Sequence, residues 1–564
     1  MTGERRGARA KGDRGDASGV SEHDHAPYSH HARHPLALTP RYDVVVIGGG
    51  HNGLVNAAYL ARAGRRVLVL ERRERVGGAA VTEEVFPGFK FSVFSYVVSL
   101  LRPEIIRELE LPRHGLHILP LESTVTPLPN GDYLAAWGDH DRTRREIYRH
   151  SPRDADAYDE FGQLMHHMAM AVRPILAMMP PDPTSLSPAE LLSMARLGKH
   201  FRDLPQRHFH ALFKLMTMSA ADYLGEWFEC EPLKATKSAS GIIGTFLGPR
   251  SPGTAYVLLH HYFGEIDGAF RAWGFAKGGT GAISEAIASA ARGFGAEIRT
   301  GASVERVLVK GGRAAGVVLA GGEEIGARVV VSGLDPRRTF LELLDPRELP
   351  DDLVEAVRRF KFRGSSGKVN LALSELPQFT CMPGHGEHLR GAFSISPSID
   401  YLERAYDDAK YGEFSRQPYM DIVIPSMIDP GMAPPGQHVM SIFVQYAPYA
   451  LNGGWTDARR EAFGDAVIDT LAQFAPNIKR AILHRQVITP RDIEQITGLS
   501  EGNIFQGELA LHQLFFLRPA PSWSSYRTPV RQYYQCGAGT HPGGGVMGAS
   551  GRLAALRILR DRSA

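Results

Sequence analysis

The chain changes character at Tyr42. Ahead of it, residues 1–40 are rich in Arg, Gly, His, Asp and Ser and carry no apolar period, which predicts a disordered tail. After it come two short, continuous apolar runs, DVVVI at 43–47 and VLVL at 67–70. Such runs suit parallel strands covered on both faces. Between them lie a glycine cluster and the alanine-rich stretch 54–63, which predicts a helix ended by Gly64. Strand, turn, helix and strand together span about thirty residues, the length of one βαβ unit.

Residues 151–240 read largely as helix, rich in Met and Leu. Residues 276–334 return to α/β texture: a Gly-rich turn and helix, then a strand meander with Gly turns. Strands are predicted at 368–374, 420–425, 438–445 and 531–536, and helices at 457–475 and about 546–561. No internal repeat is visible. The predicted fold class is α/β with two interleaved domains. The first comprises 41–125, 276–340 and 525–564; the second, α+β in texture, comprises 126–275 and 341–524.

Gly48, Gly50 and Gly53 form GxGxxG directly after a strand and directly before a helix. The first glycine permits the tight turn, the second lets backbone approach a pyrophosphate, and the third lets helix pack on strand. The helix start offers free N–H groups to the phosphate. Glu71 closes the second strand 18 residues later, placed to accept from ribose hydroxyls and to repel a 2′-phosphate. A lone GxGxxG is weak, but with this strand, helix and acid it predicts a dinucleotide site. A glycine doublet, Gly77 and Gly78, follows Glu71 and Arg72, where a plain NAD domain requires none.

The second motif lies at the other end. CGAGTHPGGGVMGASGR at 536–552 crowds six of its seven glycines, Gly537 to Gly548, into one loop ahead of an apolar helix, a sign of close backbone approach to a ligand. Gly543, Gly545 and Gly548 repeat the GxGxxG spacing, but no second strand and acid follow, so a second Rossmann site is rejected. A pyridine-nucleotide reductase is therefore poorly supported.

Composition narrows the reading. The net charge is +3, from 64 basic and 61 acidic residues. The basic residues are scattered, so nucleic acid is not an expected partner. Cys230, Cys381 and Cys536 form no CxxC pair, which argues against thiol chemistry, a disulfide framework and a zinc site; no metal is expected. No run of eighteen apolar residues predicts a transmembrane helix. Acids within residues 1–24 argue against a mitochondrial presequence, favouring a bacterial cytoplasm.

These stretches resemble the phytoene desaturase and carotenoid isomerase group of FAD oxidoreductases. The matching segments include VVVIGGGHNGLVNAAYL (44–60), GGAAVTEEVFPGFKFS (77–92), WFECEPLKAT (227–236), YVLLHH (256–261) and HPGGGVMGASGR (541–552), and they span nearly the whole chain from residue 42. The resemblance implies a two-domain flavoprotein of glutathione-reductase/amine-oxidase type, with a Rossmann-type FAD domain, an interleaved substrate domain and non-covalent FAD. It implies that Gly48, Gly50, Gly53, Glu71, Arg72, Gly77 and Gly78 hold the adenosine and pyrophosphate, and that Val304 meets adenine through its backbone. Gly537, Gly545, Val546 and Met547 would lie along the flavin, with segment 277–282 near its ring. For a eukaryotic source it implies the mitochondrial matrix.

The expected chemistry is hydride transfer between an apolar, polyene or lipid-like substrate and flavin N5, with FAD supplying the reactivity and the protein orientation. A redox-neutral polyene isomerase using reduced FAD is one alternative. An FAD-stabilised interaction protein with little activity is another. His260, His261 and Tyr96 are the candidate catalytic residues, beside Ser95, His51 and Lys277; a lone His or Lys is more often structural. Eight Met in the helical insertion, Met165 and Met168 among them, suit a lipophilic substrate tunnel, a peripheral membrane contact or an ordinary core. Substrate identity, electron acceptor and oligomeric state leave no mark in the sequence.

Overall fold

A computed structural model describes residues 41–266 and 268–561. The tail predicted for residues 1–40 lies outside the described residues. Both first apolar runs are strands: β1 (Tyr42–Ile47) and β2 (Val67–Leu70), parallel and in register from Val44–Val67 to Ile47–Leu70. The intervening helix, α1 (His51–Arg62), starts three residues before the predicted 54, directly at the glycine turn.

One sheet is built on this pair. Its order is β5 (Glu297–Arg299), β2, β1, β8 (Glu324–Ser332), β7 (Arg313–Leu319), β6 (Val304–Lys310), with β14 (Tyr533–Gln535) also on β8. Pairings among β5, β2, β1, β8 and β14 are parallel, whereas β6, β7 and the start of β8 form an antiparallel meander. The helix α6 (Gly281–Gly293) precedes β5 and packs on α1, as does the C-terminal helix α7 (Ala549–Arg560). The last strand is three residues, shorter than the predicted 531–536, because pairing to β8 ends where the glycine loop begins.

The second sheet runs β13 (Ile482–Ile488), β9 (Ser366–Leu373), β12 (His438–Gln445), β11 (Tyr419–Val423), β10 (Ala392–Ile395), β3 (Ser123–Pro127), β4 (Tyr133–Trp137). It is antiparallel apart from β10–β3. The strand β3 crosses the expected 125/126 boundary and lies wholly in this sheet. Burial on both faces explains the apolar texture of β9, every residue of which is buried. The stretch 151–240 is a series of helices, among them α2 (Pro152–Leu176), α3 (Pro188–Arg202) and α4 (Gln206–Thr217); α5 (Thr254–His260) follows. Among the described residues no helix is long and apolar enough to cross a membrane.

Candidate functional site

At the nucleotide end, Gly48 turns the chain out of β1 at φ +93°, a conformation that favours glycine. A Cβ on Gly53 would stand 2.2 Å from the Gly48 carbonyl oxygen, so only glycine allows α1 to sit this close to β1. A Cβ on Gly50 would meet nothing within 4 Å. Gly50 caps α1 without any side-chain acceptor, so the first-turn N–H groups lack a cap and present the positive end of the helix. Glu71 is buried beside them. Its Oε2 accepts from Gly49 N at 2.8 Å and its Oε1 from Arg73 N at 2.9 Å, leaving lone pairs on both oxygens. Gly77 N donates to Gly49 O at 2.8 Å, which ties the doublet to the turn.

The far end of the chain closes on this turn. Asn52 Oδ1 accepts from Gly551 N at 3.4 Å, and a Cβ on Gly551 would lie 2.1 Å from Asn52 O. The His51 ring is hydrogen-bonded to the Gly545 backbone, while its Nε2 is buried without a partner. Burial pushes this imidazole down to about 4, so the ring is neutral at physiological pH. Arg518, fully buried, anchors the loop from behind: its guanidinium donates to the carbonyls of Ala538, Phe505, Gly507, Glu508 and Gln513 at 2.9–3.3 Å.

Between these ends and the second sheet is a cavity of about 1480 Å³ of empty space, its mouth included. Phe94, Val97, Val98, Leu100, Ile243, Trp273, Phe443, Ile493, Leu499, Ile504 and Phe505 make most of its wall apolar, and Glu71 is the only carboxylate among the described residues that line it. The Tyr96 ring stacks on Phe443, centroids 5.6 Å apart, and its hydroxyl donates to Asp421 Oδ2 at 2.6 Å. Burial raises Asp421 to about 6 in spite of that hydrogen bond. Lys368, on β9, also lines the cavity. Its Nζ donates to Ser92 O and stands 5.6 Å from the Tyr96 ring centroid. Burial alone holds this amine well below the usual lysine range.

Of the predicted residues, Gly48, Gly50, Gly53, Glu71, Gly77, Gly78, Gly545 and Val546 line the cavity, as do Ser95, Tyr96, His51 and His261. His261 Nδ1 is 2.9 Å from Val257 O, and its ring stacks on Trp273. His260 does not line the cavity: it turns to Gly544 O at 3.2 Å. Arg72 donates instead to Gln495 O and Ile496 O. Val304 opens β6 in the meander; of the C-terminal loop, Ala538, Gly545 and Val546 line the cavity, whereas Gly537 and Met547 do not. No residue of 277–282 is in the wall; Lys277 is exposed, and Gly281 N donates to Thr82 Oγ1 at 3.0 Å. Sequence reasoning missed Lys368, Trp273, Phe443 and Phe505. A charged residue inside the apolar strand KVNLAL was the available signal for the first.

The residues fit a flavin dinucleotide. The open face at Gly50, the uncapped helix start and the buried acid at the end of β2 border one cavity, and His51, whose Nε2 is buried without a partner, is among its lining residues. Cys230, Cys381 and Cys536 are all free.

A family model described as flavin containing amine oxidoreductase matches residues 53–559. Pyridine nucleotide-disulfide oxidoreductase domain-containing protein 2 of Rattus norvegicus is 42% identical over 549 residues, covering 93% of this chain and 94% of that protein. A limonene dehydrogenase component of Castellaniella defragrans is 28% identical over 544 residues, covering 92% and 94%. Prolycopene isomerase 2 of an Oncidium hybrid cultivar is 26% identical over 546 residues, covering 92% and 84%. Among solved structures, an oxidoreductase from Methanosarcina mazei superposes with a TM-score of 0.57 at 18% identity, covering 92% of this chain and 99% of that one.

Proposed function

This chain belongs to the flavin-containing amine oxidoreductase family, and from that premise we propose that it is an FAD-dependent dehydrogenase of an apolar, hydrocarbon-like substrate. The observation that carries the reading is the cavity wall beyond the nucleotide end: among the described residues it offers mainly aromatic and aliphatic side chains, a few neutral polar groups such as Ser95, Ser366 and Gln506, one buried amine and no carboxylate. A cationic amine substrate would meet no counter-charge there, whereas an apolar chain loses little on leaving water. The resemblance to a limonene dehydrogenase component supports the same substrate class.

When bound, FAD supplies a hydride acceptor. The remaining work falls to the chain's own groups. Tyr96 and Phe443 form a flat apolar wall that orients the substrate, and Asp421 fixes the Tyr96 ring through its hydroxyl. Lys368 Nζ, whose burial disfavours the charged form, takes the proton that leaves the adjacent substrate carbon as the double bond forms. The cofactor is taken as non-covalently held, which the lack of cysteine among the described lining residues supports.

The test is anaerobic. Purified yellow protein is mixed with apolar monoterpene or polyene donors and, separately, with aliphatic amines. The proposal expects the flavin band to bleach with the apolar donors. Bleaching by amines alone contradicts it. Turnover of a polyene only after prior reduction of the flavin would favour the isomerase reading, which the prolycopene isomerase relative motivates.

A further inference from the structure

A second buried amine takes no part in the cavity wall. Lys237, on the helix Glu231–Ala239, is 4% exposed and lies among aromatic rings. Its Nζ stands 4.6 Å from the ring centroid of Tyr158, 5.2 Å from that of Phe161 and 5.9 Å from that of Phe228. Lys368 at least donates to Ser92 O, whereas among the described residues no oxygen accepts from Lys237 Nζ. The neighbouring acids are committed elsewhere. Asp154, one turn before Tyr158, accepts from the N–H groups of Glu229 and Cys230; Glu231 pairs with Lys234 at 2.9 Å, and Glu265 with Arg173 at 2.8 Å.

Two more polar groups beside this cage lack partners. The Tyr262 hydroxyl is buried without a hydrogen bond, and its ring centroid is 6.5 Å from that of Phe161. The Arg271 guanidinium lies 4.3 Å from the Tyr262 ring centroid and forms no ion pair among the described residues. Arg271 acts on both neighbours. Burial first and Arg271 second disfavour the charged form of Lys237; burial raises the Tyr262 phenol to about 12 against the pull of Arg271. Rings attract an ammonium, but here it would join a second cation with no carboxylate to balance either. An amine, a guanidinium and a phenol are all donors. What the cluster lacks is an anion that accepts from them.

Carbon dioxide can supply that anion. It is small, uncharged and apolar, so an aromatic cage admits it where bicarbonate would have to shed its hydration. It reacts with an amine whose lone pair carries no proton, the state this environment favours. We propose that Lys237 is a carbamylation site: the Nζ lone pair bonds to the carbon of carbon dioxide, one C=O electron pair moves onto oxygen, an N–H proton leaves to solvent, and the carbamate faces Arg271 and the Tyr262 hydroxyl. The step involves no oxidation and no reactant besides carbon dioxide. The new anion accepts from the two donors left over, so one modification satisfies three buried groups. Tyr262 follows His261 directly, and Arg271 is two residues before Trp273; His261 and Trp273 line the cavity and stack at 6.0 Å. The site is therefore joined to the cavity wall through the backbone, and it is independent of the substrate reading above.

The test is carbon NMR of the flavin-loaded full chain in isotope-labelled bicarbonate, with the lysine Nζ labelled as well. A carbamate resonance is expected, separate from bicarbonate and dissolved carbon dioxide and split by the bonded lysine nitrogen. Lys237→Met removes it and Lys368→Met retains it. Arg271→Gln lowers the occupancy at a fixed bicarbonate concentration about ten-fold, because the opposite charge is gone. The unfolding midpoint of the wild type rises with bicarbonate, and that of Lys237→Met does not. Flavin content verifies that each variant folds. Should Lys237→Met fail to fold, electron density at Nζ in wild-type crystals grown with bicarbonate decides in its place. A wild type without the resonance at saturating bicarbonate overturns the proposal. So does the same resonance in Lys237→Met, or density in those crystals for an unmodified amine.

Discussion

Asn56 in α1 donates from Nδ2 to the backbone oxygen of Gly551 in α7 at 3.1 Å, across 495 residues of sequence. This bond and the Gly551–Asn52 contact press the C-terminal helix onto the helix that starts at the glycine turn. The joint places Gly545 and Val546 in the same cavity as Gly48 and Gly50. Gly551→Ala inserts a methyl group 2.1 Å from Asn52 O, in contact with backbone that cannot step aside. Overpacking of this kind costs about 1–3 kcal/mol or more. The expected outcome is a lower unfolding midpoint and a flavin-to-protein ratio well below that of the wild type. Normal flavin content in this variant would contradict the joint's role.

Lys368→Met replaces a buried amine with an apolar side chain of similar length. The protein is expected to fold and to hold flavin at least as well as the wild type, because a desolvated amine with one hydrogen-bond partner is replaced by packing. Substrate-dependent bleaching is expected to slow by about 10²–10⁴-fold, the usual contribution of a positioned base. Stopped-flow reduction at saturating donor separates this from weaker binding.

Asp421 gives a pH dependence of definite sign. Its carboxyl lies near 6 in the folded chain against an ordinary 3.8, so between these values the native state holds a proton that the unfolded state has lost. Stability from this group is present below pH 3.8 and is lost as pH rises through 6, about 3 kcal/mol in all. Asp421→Asn removes that component while its amide oxygen still accepts from Tyr96. Urea unfolding of both proteins from pH 5.5 to 7.5 is expected to show the variant gaining on the wild type as pH rises. Parallel curves would refute the assignment.

The buried histidines act in the opposite sense. His51, His260 and His541 lie at about 4, 3 and 3 against an ordinary 6.5, because burial disfavours the imidazolium. Their native states bind fewer protons than the unfolded chain, so stability falls as pH drops below 6.5. At about 1.4 kcal/mol per unit, each contributes a loss on the order of 3–5 kcal/mol, and together they rival a domain's whole stability. They outweigh Asp421. Cooperative unfolding with flavin release is expected between about pH 6 and 4, followed by near-ultraviolet circular dichroism and flavin fluorescence; a native spectrum at pH 4 would contradict it.

The nucleotide end was legible because it is written in backbone constraints. Gly48 at positive φ and Gly53 against Gly48 O tolerate no other residue, and Glu71 ends a strand that periodicity alone predicts. The substrate end was not. Its wall is assembled from Tyr96, Trp273, Lys368, Phe443 and Phe505, which lie far apart in the chain and share no local spacing. His260 and His261 show the limit well: neighbours in sequence, they diverge because the rotation of α5 turns one toward Gly544 and the other into the cavity. The second sheet was partly visible through its apolar strands, but β3 and β4 left no signal strong enough to separate them from the preceding segment.

The most direct measurement is the electron density of the yellow holoprotein in a crystal. The account predicts one dinucleotide, its pyrophosphate at the start of α1 beside Gly50 and its ring system against Gly545 and Val546, with no bond to any side chain. Density for flavin elsewhere, or a ring system out of reach of the 545–546 loop, would contradict it.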